Sequence, residues 1–371
     1  MSLRRPSGGR HGPSLALLCA AVLVSLAVLE AAFRVARVPV GTVQINRGTI
    51  QRSPNPRLRF ELRPRALAAA EVEYRINAAG LRGPEVGEEK PPGVRRVAVL
   101  GDSIAFGYWV AEEDSFARQL ERLLNAGRPA GPRVEVLNFG VPGYNLEQEL
   151  EVLRARVPAF APDVVVVALC LNDLEGPFSY EYGLTVDRST RRESWTGRAA
   201  DVLLQRSRLF AWIEYRLAER AARRAFVRTR NPMPGPLYAE AVSQQRAALE
   251  ARFGTLAVLL HDAGGVPGLV AVFPTLGERF DRYPHQELHR AAVDAARAAG
   301  LAAVDLFDCF AAYDFRAARV DVVHPSPLGH RVAAHGIADA LCAAGLFCPP
   351  SRPAGPCTGY RPQDFATVRG Y

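Results

Sequence analysis

Five short apolar runs punctuate the chain, at Val97 to Leu100, Val134 to Phe139, Val164 to Leu169, Leu269 to Phe273 and Ala302 to Leu306. Most are rich in valine and do not alternate with polar positions, the pattern of strands covered on both faces. Between and after them, apolar residues recur at helical spacing over Ser115 to Asn125, Leu146 to Val157, Tyr238 to Ala263, His285 to Ala299 and Pro327 to Ala344. Strand and helix alternating through short links predict an α/β fold, three layers in α/β/α order around a mostly parallel five-stranded sheet.

Three segments stand outside this rhythm. Residues 14–33 form an apolar run whose only charge is Glu30. As a helix it is about 30 Å long, enough to cross a bilayer core. It follows a basic tail, residues 1–13, and reads as a transmembrane signal anchor, with a cleaved signal peptide as the alternative because Ser25-Leu-Ala27 offers small residues at a cleavage spacing. Residues 34–94 are irregular and read as a juxtamembrane segment, with one strand and turn in EVEYRINAAGLRGPE, Glu71 to Glu85. Residues 174–236 are too long for a simple link. Leu203, Phe210, Ile213 and Leu217 recur there at mostly helical spacing, so the insertion is expected to hold one amphipathic helix and to wall or cover the sheet edge it leaves.

The 371 residues carry a net charge of +8, and Lys90 is the one lysine against 45 arginines. Eleven arginines and four acids fall between Arg191 and Arg230, so that stretch, within the insertion, carries +7. A solvated helix face, anionic lipid and an acidic polysaccharide all fit such a stretch; no nucleic-acid motif accompanies it. Of the six cysteines, Cys170, Cys309 and Cys342 lie in apolar surroundings and read as small hydrophobes. Cys348 and Cys357 flank PPSRPAGP in the tail, residues 348–371, and are spaced for a disulfide in an oxidising compartment. His285 and His289 sit one helical turn apart without an acid or cysteine spaced to complete a metal site, while His261, His330 and His335 read as packing or surface residues.

Four polar clusters end the predicted strands or precede the last helix. They are Gly101-Asp102-Ser103 inside VLGDSIAFG, Asn138-Phe-Gly-Val-Pro-Gly143, Cys170-Leu-Asn172-Asp173 and Asp321-Val-Val-His324-Pro325. Carboxyl strand ends are where open α/β sheets bind ligands. A serine needs a base to become nucleophilic, and His324 is a loop histidine with a carboxylate, Asp321, three residues before it. Backbone N–H groups of Ser103 and Gly143 and the side-chain amide of Asn172 are the candidate donors to a developing oxyanion. The structural alternative is a set of turns with ordinary caps.

In this order, GDSIAFG, NFGVPG, LND and DVVHP resemble the four blocks of the SGNH, or GDSL-type, hydrolases over residues 95–347. The resemblance maps the family's Ser, Gly, Asn and His onto Ser103, Gly143, Asn172 and His324. It implies a flavodoxin-like sheet and serine ester chemistry without metal or cofactor. YRINAAGLRG and HPSPLGH are similar to a bacterial branch with a membrane segment ahead of the hydrolase domain. Cys170 stands where the family commonly has glycine, which bears on the shape of the strand end and the width of the site. The expected activity is a serine esterase acting on an ester-bearing small molecule, lipid or polysaccharide, with the domain held at the membrane on its extracytoplasmic side. An O-acyltransferase uses the same residues, and a non-catalytic envelope-binding module is the third reading.

Overall fold

The computed structural model describes residues 15–36, 38, 45–46, 48–69, 72–126, 132–174, 195–214, 216–217, 220, 242–313 and 316–348. The basic tail, residues 175–194 and Cys357 lie outside them, as does the Asn231-Pro-Met-Pro-Gly-Pro stretch. The five apolar runs are strands β5 (Val94–Gly101), β6 (Arg133–Asn138), β7 (Val164–Leu169), β8 (Gly268–Val272) and β9 (Ala302–Asp305). Every pairing among them is parallel and the order is β6-β5-β7-β8-β9. Polar residues are absent from β7 and β8, and every residue of both is buried, because each face of the sheet is covered.

Ahead of β5 stand helix α1 (Leu15–Val35) and two small antiparallel pairs, β1 (Ile50–Arg52) with β2 (Phe60–Leu62) and β3 (Leu67–Ala69) with β4 (Glu73–Arg75). After β5 come α2 (Ser103–Phe106), α3 (Phe116–Asn125), α4 (Leu146–Ala155), α5 (Trp195–Arg206), α6 (Val242–Asp262), α7 (Gln286–Ala298), α8 (Phe307–Ala311) and α9 (Pro327–Ala343). Leu150 and Leu153 of α4, Phe253 and Leu256 of α6 and Ala292 of α7 pack on one face of the sheet. Phe116 and Leu120 of α3 and Val332 and Ile337 of α9 pack on the other. The first of these cores continues into the irregular segment: Ile45, Ile50, Phe60, Tyr74, Ile76 and Leu81 belong to the same buried cluster as Ala98 and Leu100.

Two expectations need correction. The insertion does not form one helix with Leu203, Ile213 and Leu217 inward. Helix α5 stops at Arg206 and a second helical stretch begins at 208. Leu204, Leu209 and Ala211 are the buried residues, whereas Leu203, Ile213 and Leu217 are exposed. The break is local chemistry: Ser207 Oγ accepts from the Phe210 N–H at 3.0 Å and so caps a new helix. The described part of the insertion packs on α1. Glu30 accepts from Ser207 Oγ (2.7 Å), Arg208 N–H (3.1 Å) and Leu209 N–H (3.0 Å), and Phe33 meets Trp212 edge to face at 5.4 Å. The second correction concerns sulfur. Cys342, at the end of α9, pairs with Cys348, whose Cα lies 4.3 Å away, because the turn at Gly345 (φ +70°) brings the chain back on the helix.

Of the two histidines one turn apart, His285 precedes α7 and His289 lies within it. His289 is fully buried, with Nδ1 2.8 Å from Asp305 Oδ1 and Nε2 2.9 Å from the Tyr283 hydroxyl. The acid it finds comes from strand β9, where no sequence spacing points to it.

Candidate active site

Strand β5 ends at Gly101, and its ladder with β6 continues past the strands through Phe139 N–H to Val99 O (2.8 Å) and Val141 N–H to Gly101 O (3.1 Å). This brings the second block to the rim that holds Ser103. Gly140 passes so close to α2 that a Cβ there would stand 2.4 Å from the Phe106 nitrogen, so a side chain would push the block away. Gly143 follows in a turn at φ +80°, a conformation L side chains rarely adopt. Asp102 caps α2, its Oδ1 accepting the Ile104 N–H at 2.8 Å.

The hydroxyl, imidazole and carboxylate singled out in sequence meet. His324 Nε2 lies 2.9 Å from Ser103 Oγ, and His324 Nδ1 lies 2.8 Å from Asp321 Oδ2. Asp321 Oδ1 accepts the backbone N–H groups of Val323 and His324, both at 2.8 Å. Burial pushes the Asp321 carboxyl upward, but the hydrogen bonds and charge of His324 and the two N–H groups outweigh it and hold the carboxyl down at about 2. An ionised carboxylate at neutral pH places the imidazole proton on Nδ1, leaving Nε2 to accept from the Ser103 hydroxyl. The Tyr108 ring lies against the imidazole, centroids 5.1 Å apart and 24° from parallel.

Asn172, in a short turn after β7, donates from Nδ2 to Asp102 Oδ2 at 2.9 Å, and the amide keeps a second hydrogen. Asp102 is thus both helix cap and holder of Asn172. Glu149 of α4 is buried nearby with neither carboxylate oxygen hydrogen bonded among the described residues, and burial first, then the charge of Asp102, raise its carboxyl well above the usual range. Cys170 packs with Phe273 and Leu276 in the core on the α3 and α9 face, and burial keeps it a thiol, so it fills the strand end without offering a nucleophile.

Several residues around the site were assigned no role from the sequence. Arg82, 2% exposed, donates to the main-chain oxygens of Phe106 (2.7 Å), Gly107 and Val110 (2.7 Å). The Tyr74 hydroxyl accepts the Trp109 N–H at 2.7 Å, Tyr108 donates to Asn46 Oδ1 at 3.0 Å, and Trp109 Nε1–H donates to Asp321 Oδ2 at 2.9 Å. Three of these partners, Asn46, Tyr74 and Arg82, come from the segment before the sheet; Tyr74 and Arg82 lie within YRINAAGLRG, which stood out as a similarity without showing what its residues touch.

His330, read as a packing or surface residue, is fully buried in α9, with Nδ1 accepting the Phe116 N–H at 3.2 Å. Burial, then the positive charges of Arg82 and His324, push it down to about 3. The unfolded chain therefore takes up a proton near pH 6.5 that the folded chain refuses, and stability falls by up to about 1.4 kcal/mol per pH unit from there toward pH 3. His330→Asn, which keeps an acceptor for Phe116, should be less stable than the parent at pH 8 in urea melts, and that deficit should shrink or reverse near pH 4.

The model of the GDSL-like lipase/acylhydrolase family matches residues 99–332, which contain all four blocks. The chain belongs to that family. This GDSL-like hydrolase is accordingly an enzyme that cleaves esters. Among solved structures it is similar to Axe2, an acetylxylan esterase from Geobacillus stearothermophilus (16% identity, 67% of this chain and 94% of that one, TM-score 0.41). It is also similar to LAE5, an alpha/beta hydrolase enzyme from the metagenome of Lake Arreo, Spain (15% identity, 68% and 95%, TM-score 0.40). No curated protein matches this GDSL-like hydrolase.

Proposed function

We propose that the chain is a membrane-anchored serine esterase that removes O-acyl groups from a glycan or lipid of the cell envelope through an acyl-enzyme on Ser103. The observation that carries this reading is the unbroken hydrogen-bonded series from Ser103 Oγ through His324 to Asp321, with distances of 2.9 and 2.8 Å. His324 Nε2 takes the hydroxyl proton as Ser103 Oγ adds to the ester carbonyl, and Asp321 balances the imidazolium. The oxyanion receives the N–H groups of Ser103 and Gly143 and the second amide hydrogen of Asn172. His324 then returns its proton to the departing alcohol, and water, deprotonated by the same ring, releases the acid.

Support for the envelope comes from two features. Helix α1 is 21 residues long, apolar, and exposed from Leu15 to Leu29, which suits a single span. The Cys342–Cys348 disulfide suits an oxidising compartment. The expected result is that a fluorophosphonate probe labels the purified protein on Ser103 alone and that aryl acetates are turned over. A protein that neither reacts nor turns over ester overturns the catalytic assignment. A phosphatase fused after Arg47 should be active when the chain is expressed in bacteria; an inactive fusion overturns the extracytoplasmic placement.

A further inference from the structure

Trp109 has a backbone conformation that a bulky side chain seldom takes, with φ +69°. Such residues persist where the surroundings hold them. Here the holding groups are identifiable. The N–H of Trp109 is bonded to the Tyr74 hydroxyl, the carbonyls on either side of the Tyr108–Trp109 pair are gripped by Arg82, and Tyr108 is tied to Asn46. The product of that constraint is the direction of one donor: the indole Nε1–H points at Asp321 Oδ2, the same oxygen that faces His324 Nδ1.

We infer that Trp109 is a positioning residue for the ester chemistry, fixing the Asp321 carboxylate so that Oδ2 stays directed at the His324 ring. The inference rests on reading Ser103, His324 and Asp321 as the reacting set. Backbone N–H groups hold Oδ1 by themselves. Among the described residues Oδ2 has the imidazole and the indole, and the Asp321 side chain is 40% exposed, so water is the competitor for that oxygen. The indole occupies the second acceptor direction of Oδ2 with a donor that carries no charge. It thereby keeps the carboxylate turned toward the ring and excludes water from the oxygen that faces Nδ1. Tyr108, the preceding residue, fixes the plane of the same imidazole. One short segment thus sets both the ring plane and the carboxylate that faces it. The groups around the ring are Asp321 at Nδ1, Ser103 at Nε2, the Tyr108 face, and His330 on α9, which is near enough to feel the charge of His324.

The test uses Trp109→Phe in the full chain. Two readouts separate positioning from a merely structural part. In aryl acetate hydrolysis, kcat is expected to fall about tenfold with KM within about twofold, while in an Asp321→Asn background the same change should cost less than about twofold. Equal losses in both backgrounds, or no loss in the first, overturn the inference. Nitrogen-15 NMR titration of His324 reads the ring whether or not any ester is cleaved. Without the indole, Oδ2 is free to turn from the ring and take up water, so the imidazolium is held less well and the His324 midpoint should move to lower pH in Trp109→Phe. An unmoved or raised midpoint overturns the inference, and because this measurement needs no turnover, it stands apart from failure of the esterase reading.

Discussion

Ser103→Ala is expected to lower kcat for aryl acetates by about 10⁴-fold or more while leaving the thermal midpoint within a few degrees of the parent. The size follows from what is lost. The variant keeps the N–H of residue 103 and the Gly143 and Asn172 donors, so any residual rate comes from binding and oxyanion stabilisation acting on water. It loses the atom to which the acyl group attaches and the partner of His324 Nε2 at 2.9 Å. Little stability rides on the hydroxyl, whose hydrogen bonds among the described residues go to His324 and, at 3.3 Å, to Asp102 Oδ2. Steady-state kinetics beside a melting curve decide the matter. A variant that folds and keeps more than about a tenth of the parent rate would remove Ser103 from the mechanism.

Arg82→Leu should be the most damaging single change outside the reacting groups. The guanidinium is buried against the rings of Tyr74 (4.5 Å to the centroid) and Phe106 (5.0 Å) and serves three carbonyls. Burial lowers it to about 10, which still leaves it charged at neutral pH. Leucine fills part of the volume but leaves those carbonyls without donors, each costing about 1–3 kcal/mol where water cannot reach, so a total loss of about 3–5 kcal/mol is expected in urea melts. Arg82→Lys, with one donor group instead of a fork, should recover less than half of it. Because the same carbonyls bracket Tyr108 and Trp109, activity measured well below the unfolding midpoint should fall too. A loss under about 1 kcal/mol with full activity would mean that the segment before β5 does not brace the site.

What was legible in the sequence follows from how each feature is encoded. Residues such as Val164 to Leu169 announce a doubly covered strand because burial on both faces demands an apolar run, and a serine, a glycine, an asparagine and a histidine at the rim stand out because each sits where such a run stops or a helix starts. Contacts made across the chain carry no such mark. Arg82 lies in YRINAAGLRG, yet nothing in that stretch says that Phe106 and Val110 will fold beside it, and the Asp305 partner of His289 lies sixteen positions away on another element. Period also misleads where polar side chains break helices. Leu203, Phe210, Ile213 and Leu217 keep a helical spacing, yet the cap at Ser207 divides the stretch and turns Leu203, Ile213 and Leu217 outward. Cys342 read as a core residue because its neighbours are apolar, while the return of the tail onto it depends on a turn geometry that composition does not reveal.

The bonding of Glu30 changes how the amino-terminal helix should be regarded. Glu30 supplies the acceptor for the first N–H groups of the helical stretch after Ser207, and Val38 packs with Leu204, Phe210 and Ala211. A chain shortened to begin beyond residue 38 would strip that stretch of its acceptor and open its small apolar cluster to water, so trimming for solubility would disturb a region far along the polypeptide. The leading helix and the stretch around Ser207 thus form one packed unit, each end of which loses its partner when the other is cut away.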